Sequence, residues 1–189
     1  MGKNALISVF NKEGLDYLLK TLKKFNYNII SSGGTFKYIR NLGYKCTEIS
    51  KYTGFKEMLD GRVKTLHPKI HAGILHDRTN KSHIKQMKGK KFPSLDVIIV
   101  NFYPFQEIVL NSSNKKKIIE NIDIGGPTMV RAAAKNFKNV TIITNRYDYK
   151  DLVKELEVLK GKTSLKFREL MSSKAFGLTA YYDAMIANW

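Results

Sequence analysis

The sequence has little cysteine, few acidic side chains and no long apolar run. Its 189 residues include one cysteine, Cys46, so neither an intramolecular disulfide nor a cysteine metal cluster is expected. No apolar stretch is long enough to span a membrane, and the run over residues 5–10 is too short for the core of a signal peptide. We therefore expect one domain over residues 1–189, with no membrane partner, in the reducing cytoplasm.

The shortage of acidic residues leaves a strong positive charge. There are 16 Asp and Glu against 33 Lys and Arg, which gives a net charge of +17. The cations are mostly Lys, and residues 1–60, 61–120 and 121–189 hold 10, 12 and 11 of them. Dedicated nucleic-acid binders concentrate charge on one face or tail. The even spread favours general surface Lys, so no nucleic-acid partner is expected.

Short apolar, β-branched runs alternate with amphipathic segments along the chain. This pattern predicts an α/β fold with a mostly parallel central sheet and helices on both faces. In open sheets of this kind, ligands bind outside the carboxyl ends of the strands. The predicted strands are 5–10, 27–31, 45–49, 95–101 and 140–144. The predicted helices are 13–25, 36–42, 54–59, 80–88, 115–122, 128–136, 147–160 and 165–187.

A double-glycine turn follows the second predicted strand. Gly33 and Gly34 let the backbone approach a ligand closely, and the next helix points free N–H groups at the same place. Ser32 and Thr35 add hydroxyl donors. The segment is therefore a candidate anion cradle, and the alternative is an ordinary turn between a strand and a helix.

The segment 61–68, GRVKTLHP, carries a second candidate feature. Arg62 and Lys64 stand two apart, so an extended backbone would place both on one face, where they could bind phosphate or carboxamide oxygens. A solvated basic loop is the alternative. His67 and His71 lie four apart, but no third ligand is evident, so packing roles are favoured and no metal site is expected.

A second glycine turn, residues 121–128, carries Asp123. This residue is either an acid stabilised by a helix N-terminus or a base that accepts a proton from a ligand NH. Further along, Arg131 and Lys135 share one face of a helix whose alanines allow close packing. Lys135 is either partly desolvated, with a pKa tuned for catalysis, or a surface lysine near a helix end.

Taken together, the motifs resemble the IMP cyclohydrolase domain at the N-terminus of bifunctional purine-biosynthesis proteins, in order and over the whole chain. The motifs are LISV with Asn11 and Lys12, SGGT at 32–35, TGF at 53–55, GRVKTLHP with HAGIL at 61–75, NFYPF at 101–105, NIDIGGP at 121–127 and RAAAKN at 131–136. The resemblance implies a methylglyoxal-synthase-like fold. It also implies the last step of IMP synthesis, dehydrative ring closure of 5-formamidoimidazole-4-carboxamide ribotide.

The resemblance also implies the residues of the site. The catalytic group would be Lys64, Tyr103, Asp123 and Lys135. The residues that bind the nucleotide would be Lys12, Ser32, Gly33, Gly34, Thr35, Arg62, Thr65, Asn101, Ile124, Gly125 and Gly126. No metal or organic cofactor is implied. Phe10 stands where many relatives carry Ser, which removes one hydroxyl contact but leaves the backbone N–H.

The implied partners are the nucleotide substrate and the IMP product, and a homodimer is compatible with the family. Full-length relatives continue into a folate-dependent transformylase domain, whereas this sequence ends at Trp189. We therefore expect the cyclohydrolase domain without the transformylase. Two other classes stay open: a regulatory module that binds a nucleotide without turning it over, and methylglyoxal synthase.

Overall fold

A parallel β-sheet forms the centre of the computed structural model, which describes residues 2–189. Within these residues there are five strands, in the order β3-β2-β1-β4-β5, and every neighbouring pair is parallel. The predicted α/β class with a mostly parallel sheet is confirmed. The strands are β1 (Lys3–Ser8), β2 (Tyr27–Ser31), β3 (Thr47–Glu48), β4 (Val97–Val100) and β5 (Thr141–Ile143).

Ten α-helices occur in the described part of the chain. The prediction of a helix over residues 54–59 is wrong, because α3 ends at Thr53 and Gly54 follows it in the left-handed conformation at φ 78°. The sequence analysis predicts none of three observed helices, α3, α4 and α6. The helices are α1 (Leu15–Lys24), α2 (Gly33–Asn41), α3 (Ile49–Thr53), α4 (Pro68–Leu75), α5 (Lys81–Gly89), α6 (Phe105–Asn111), α7 (Lys115–Glu120), α8 (Gly125–Lys135), α9 (Tyr149–Val158) and α10 (Leu165–Asn188). None of these helices is long and apolar enough to cross a bilayer.

The helices form two packed groups. One contains α1 and α9, and the other contains α4, α8 and α10. Right-handed crossovers on the two sides of β1 place the groups on opposite faces of the sheet. Strand β1 is therefore covered on both faces, and Ala5, Leu6 and Ile7 are at most 1% exposed. This explains the continuous apolar run, which a half-exposed strand would not show.

The direction of chain progression reverses at β1. From β1 the chain first adds β2 and β3 on one side, and it later adds β4 and β5 on the other. The carboxyl ends of β1, β2 and β4 are therefore neighbours, at Ser8, Ser31 and Val100. The crevice at such a switch point is where an open α/β sheet binds ligands.

A small second core joins α10 to α6 and α7. Its buried members are Phe105, Ile118 and Tyr182, each 2% exposed, and Phe102 and Ile122 pack against them. We call these five residues the α10 cluster. It secures the C-terminal helix beside the segment that leads into α8.

Close packing of α4 gives a stability prediction. A Cβ at Gly73 would lie 3.0 Å from the Pro93 carbonyl oxygen and 3.2 Å from Leu95 Cγ. Gly73→Ala should therefore lower the free energy of unfolding by about 1–3 kcal/mol, because backbone must move to admit the methyl group. Gly89→Ala is the matched control, since a Cβ there meets nothing within 4 Å, and it should raise stability by about 0.5 kcal/mol. Urea unfolding of both variants checks the pair, and equal midpoints would contradict the expectation.

Candidate functional site

A cleft of about 640 Å³ lies at the carboxyl ends of β1, β2 and β4. The structure brings together fourteen of the fifteen site residues that the sequence predicts. Those that line the cleft are Lys12, Ser32, Gly33, Gly34, Thr35, Arg62, Lys64, Thr65, Asn101, Tyr103, Asp123, Ile124, Gly125 and Gly126. The resemblance therefore identified one continuous surface from segments that are far apart in sequence.

One wall of the cleft is the N-terminus of α2. This helix begins at Gly33, three residues earlier than predicted, so the two glycines form its first turn and do not precede it. Gly33 has φ 53°, which a residue without Cβ adopts at little cost. Ser32 is the N-cap residue, but its side chain makes no capping hydrogen bond. The first turn thus presents free N–H groups and a free hydroxyl to the cleft.

Two ammonium groups flank this helix N-terminus. A Cβ at Gly33 would lie 3.6 Å from Lys64 Nζ, and a Cβ at Gly34 would lie 3.9 Å from Lys12 Nζ. Lys12 Nζ also donates a hydrogen bond to the Phe10 carbonyl at 3.0 Å, which holds it over the turn. The helix dipole and the two cations attract negative charge to the same point. This part of the cleft is built to bind an anion.

Thr35 and Asn101 line the cleft, but their polar groups hold the end of β1 in place. Thr35 Oγ1 donates to the Val9 carbonyl at 2.8 Å and accepts from the Val9 N–H at 3.1 Å. Asn101 Oδ1 accepts from the Phe10 N–H at 2.5 Å, and its Nδ2 donates to the Asn11 carbonyl at 3.1 Å. The predicted use of the Thr35 proton for a ligand is therefore corrected: that proton is bonded to Val9.

A strained turn presents Arg62 and Lys64. Leu59, Asp60 and Gly61 all have positive φ, at 54°, 54° and 90°. The expectation of an extended backbone is wrong at Arg62, which is helical with φ −61° and ψ −33°. Both side chains nevertheless line the cleft, because the turn itself faces it. Two non-glycine residues in the left-handed region each cost about 1–3 kcal/mol, which marks the turn as a functional segment.

Each of these two cations is paired with a carboxylate. Lys64 Nζ lies 2.6 Å from Glu57 Oε2. Arg62 binds Glu120, at the end of α7, through Nε at 3.2 Å and through a second, shorter contact. The sequence analysis did not identify either carboxylate, because no local pattern links it to its partner. The two pairs form only when the chain folds. An anionic ligand that binds Arg62 or Lys64 must compete with them.

The opposite wall contains Asp123. Its Oδ1 accepts a hydrogen bond from the Gly126 N–H at 2.8 Å, and its own N–H donates to the Tyr182 hydroxyl at 2.8 Å. Burial raises the pKa of this carboxyl above its usual range, and the Gly126 hydrogen bond opposes that effect only in part. A half-buried carboxylate with a raised pKa is suited to accept a proton.

The first turn of α8 has no room for side chains near Asp123. The helix begins at Gly125, three residues earlier than predicted. A Cβ at Gly126 would overlap the Asp123 carboxylate, and a Cβ at Gly125 would lie 2.5 Å from Thr65 Oγ1. A Cβ at either position would force a side chain to move, and neither glycine has positive φ. They allow Asp123 and Thr65 to approach the helix backbone.

An aromatic pair stands at the rim of the cleft. The rings of Phe10 and Tyr103 are 5.3 Å apart between centroids, with planes tilted by 56°. Both are about half exposed. Phe10 therefore supplies an apolar contact for Tyr103 where many relatives are expected to carry a hydroxyl. Its N–H remains in use, bonded to Asn101.

Lys135 is the one predicted site residue that the structure does not bring to the cleft. It is the last residue of the eleven-residue helix α8, which starts at the cleft and leads away from it. At a rise of about 1.5 Å per residue the two ends are roughly 15 Å apart. Lys135 is exposed and lines a separate cavity of about 460 Å³ with Arg131 and Phe176. Of the two alternatives for Lys135, its exposure in this chain fits the surface lysine near a helix end.

Of the two histidines at the start of α4, His67 caps the helix and His71 is partly buried. His67 is the N-cap residue, and its Nδ1 accepts from the Lys69 N–H at 3.1 Å. Burial lowers the pKa of His71. Within residues 2–189, no group of three or more His, Cys, Asp or Glu side chains is arranged to hold a metal ion.

Known proteins match both halves of the chain. The model of the MGS-like domain matches residues 14–128, and the model of the AICARFT/IMPCHase bienzyme matches residues 133–189. These two segments together include both walls of the cleft and α10.

Full-length relatives are similar over the whole chain. The bifunctional purine biosynthesis proteins PurH of Caldicellulosiruptor bescii and Clostridium beijerinckii are each 47% identical over 100% of this chain, which corresponds to 37% and 38% of their own lengths. The chain thus spans less than two fifths of these relatives. Among solved structures, the crystal structure of ForH superimposes with a TM-score of 0.88 at 29% identity, covering 99% of this chain and 98% of ForH.

Proposed function

Because the chain belongs to the MGS-like domain family, we propose that it acts as an IMP cyclohydrolase, closing 5-formamidoimidazole-4-carboxamide ribotide to IMP with loss of water. The bienzyme model and the PurH relatives support this choice within the family. The observation that carries it is the arrangement of the cleft. An anion site with two ammonium groups faces a half-buried carboxylate of raised pKa.

The 5′-phosphate of the substrate would bind at the N-terminus of α2. The free N–H groups of the first turn and the Ser32 hydroxyl supply hydrogen bonds, and Lys12 and Lys64 supply charge. Thr65 lines the same cleft, with its hydroxyl beside Gly125 in the first turn of α8. In this assignment, only a few of the cations behind the net charge of +17 contact the ligand, which is one small phosphorylated molecule.

Asp123 would activate the nucleophile. The carboxamide nitrogen of the substrate must attack the formyl carbon of the same molecule, so proximity is already supplied and the conformer must be selected. An amide nitrogen is a poor nucleophile unless a base accepts its proton. The Asp123 carboxylate is held by the Gly126 N–H and lies on the cleft wall, where it can orient the carboxamide and take that proton.

Lys64 and Tyr103 would act on the oxygen. Attack forms the new C–N bond and turns the formyl oxygen into an oxyanion, which a nearby cation or hydroxyl stabilises. That oxygen then leaves as water: it gains one proton that came from the carboxamide nitrogen and one from the formamido nitrogen, and the second C–N bond becomes double. Both side chains line the cleft. No step is assigned to Lys135, because it lies outside.

The source of the substrate, the cellular location and the oligomeric state are also proposals. The PurH relatives are bifunctional and much longer than this chain, and a transformylase reaction that supplies the formylated substrate would then belong to the part of those proteins that this chain does not match. A purine-biosynthesis role favours the cytoplasm. A homodimer is a prediction of the family resemblance, and light scattering of the purified chain would test it.

The direct test is whether the purified chain forms IMP from the formylated ribotide. The reaction is monitored by ultraviolet absorbance, in an assay mixture that contains no folate. We expect turnover by this chain alone. Binding of IMP with no turnover would contradict the proposal and favour a regulatory module. Release of methylglyoxal from dihydroxyacetone phosphate, without IMP formation, would instead identify a methylglyoxal synthase.

The ion pair across the cleft leads to a prediction on affinity. Glu120→Gln should lower the Kd for IMP by up to about fivefold, because Arg62 no longer has to leave a carboxylate and such exposed pairs are worth about 0.2–1 kcal/mol. Isothermal titration calorimetry measures it. Glu107→Gln on α6 removes the same charge at another exposed helix position and should change Kd much less. An unchanged or weaker affinity in Glu120→Gln would show that the pair does not compete with the ligand.

A further inference from the structure

The loop before α8 is held at two points. Inside the turn, Asp123 Oδ1 accepts from the Gly126 N–H at 2.8 Å. From outside, the Tyr182 hydroxyl accepts from the Asp123 N–H at 2.8 Å, across 59 positions of sequence. Asp123 precedes the first turn of α8, so its N–H has no partner in that helix. The hydroxyl from α10 satisfies a donor that the helix leaves unused.

The ring of Tyr182 is fixed by packing in the α10 cluster. It is 2% exposed. Its centroid lies 4.9 Å from that of Phe102 and 6.2 Å from that of Phe105. An aromatic side chain in such a cluster buries its ring and directs its polar end to one place. The position of the hydroxyl, and so of the Asp123 backbone, is set by the apolar contacts of the α10 cluster, of whose five members only Ile122 also lines the cleft.

We infer that Tyr182 is a positioning residue for Asp123: its hydroxyl, held by the α10 cluster, fixes the backbone from which the carboxylate reaches into the cleft. The inference rests on the proposed function, in which Asp123 accepts the proton of the nucleophile. Tyr182 itself does not line the cleft. Its effect on the reaction passes through Asp123.

The consequence of losing the hydroxyl is specific. Tyr182→Phe keeps the ring and its packing but leaves the Asp123 N–H without its partner, so the loop gains freedom. A catalytic group displaced by about 1 Å can cost about 10²-fold in rate. The phosphate site at α2 is formed by other elements and is unaffected. We therefore expect kcat to fall by about 10- to 100-fold while KM stays within about twofold of the wild-type value.

The experiment compares Tyr182→Phe with Tyr181→Phe. Tyr181 is the neighbouring tyrosine on α10, is exposed, and bonds Gln106 Oε1 at 3.3 Å, so its variant loses one hydroxyl without touching Asp123. Besides kinetics, amide hydrogen exchange by NMR reports directly on the Asp123 N–H. A net hydrogen bond of about 1 kcal/mol corresponds to an exchange rate raised by roughly fivefold in Tyr182→Phe. Tyr181→Phe should match the wild type in both measurements.

A third variant separates the hydroxyl from the packing. Phe105→Leu keeps the Tyr182 hydroxyl but loosens the α10 cluster that holds it, so the Asp123 amide should lose part of its protection, less than in Tyr182→Phe. The inference is overturned if Asp123 exchanges in Tyr182→Phe as slowly as in the wild type. It is also overturned if Phe105→Leu leaves kcat and the exchange of the Asp123 amide at wild-type values, because the cluster would then not hold the hydroxyl.

Failure of the proposed function gives a different result. If the wild-type chain forms no IMP, the cyclohydrolase assignment is lost, but the exchange rates still decide whether the hydroxyl holds Asp123. If the wild type is active and Tyr182→Phe has the same kcat, the function stands and the positioning role is overturned.

Discussion

Replacing Asp123 by Asn should lower kcat for ring closure by about 10²- to 10⁴-fold, the usual contribution of a general base. The amide oxygen of Asn can still accept from the Gly126 N–H, so the geometry of the turn is kept. The substituted group is equal in size but cannot take a proton. The initial rate of IMP formation, measured with the purified variant, gives the result.

The pH dependence of the same reaction tests whether Asp123 acts as the general base. Burial raises the pKa of Asp123, so in the wild type the carboxylate is protonated, and activity lost, at a higher pH than for an ordinary aspartate. This acid limb should be absent from the residual activity of Asp123→Asn. Asp16→Asn, on the exposed side of α1, is the matched control and should keep both the rate and the limb. A variant at Asp123 with near wild-type kcat would remove the base from the mechanism.

The second large effect is expected from a single methyl group. Gly126→Ala places a Cβ where the Asp123 carboxylate now lies, and the Oδ1 contact to the Gly126 N–H cannot survive unchanged. The carboxylate must rotate away, which should lower kcat by about 10²-fold or more. Alanine is a better helix former than glycine by about 0.8–1.0 kcal/mol. This gain should offset the cost of moving the Asp123 carboxylate, so the free energy of unfolding should change little.

Gly177→Ala provides the comparison. Gly177 lies on the exposed side of α10, and a Cβ there meets nothing within 4 Å. This variant should be fully active and slightly more stable, as judged by thermal unfolding and the IMP assay. Equal activity in the two alanine variants would mean that Asp123 can work from more than one position, which would also weaken its proposed role.

The sheet and much of the cleft could be predicted because their signals are local. The second strand, 27–31, has the predicted bounds, since an apolar run between turn residues is a property of the segment itself. The glycine turn at Gly33 and Gly34 was also visible locally, although both glycines lie inside the helix. The positions at the carboxyl ends of neighbouring strands then follow from the rule for open parallel sheets.

The parts that could not be predicted depend on contacts between distant segments. In the sequence, Glu57 and Glu120 look like ordinary surface acids. Only the folded chain brings them next to Lys64 and Arg62. Tyr182 reads as one aromatic residue of a long helix, and nothing in its neighbourhood along the chain points to Asp123.

The central position of β1 also affects how the protein is made. Its partner β2 follows soon after it in sequence, at Tyr27–Ser31, but its other partner β4 comes much later. Next to this pair, the Asn4 N–H donates to the side chain of Asp96, 92 residues further along the chain. During synthesis one edge of β1 must therefore stay unpaired until β4, at Val97–Val100, has emerged from the ribosome. An open apolar strand edge is a site for pairing with other nascent chains. Yield from fast expression should thus depend on chaperones that cover the segment between β1 and β4.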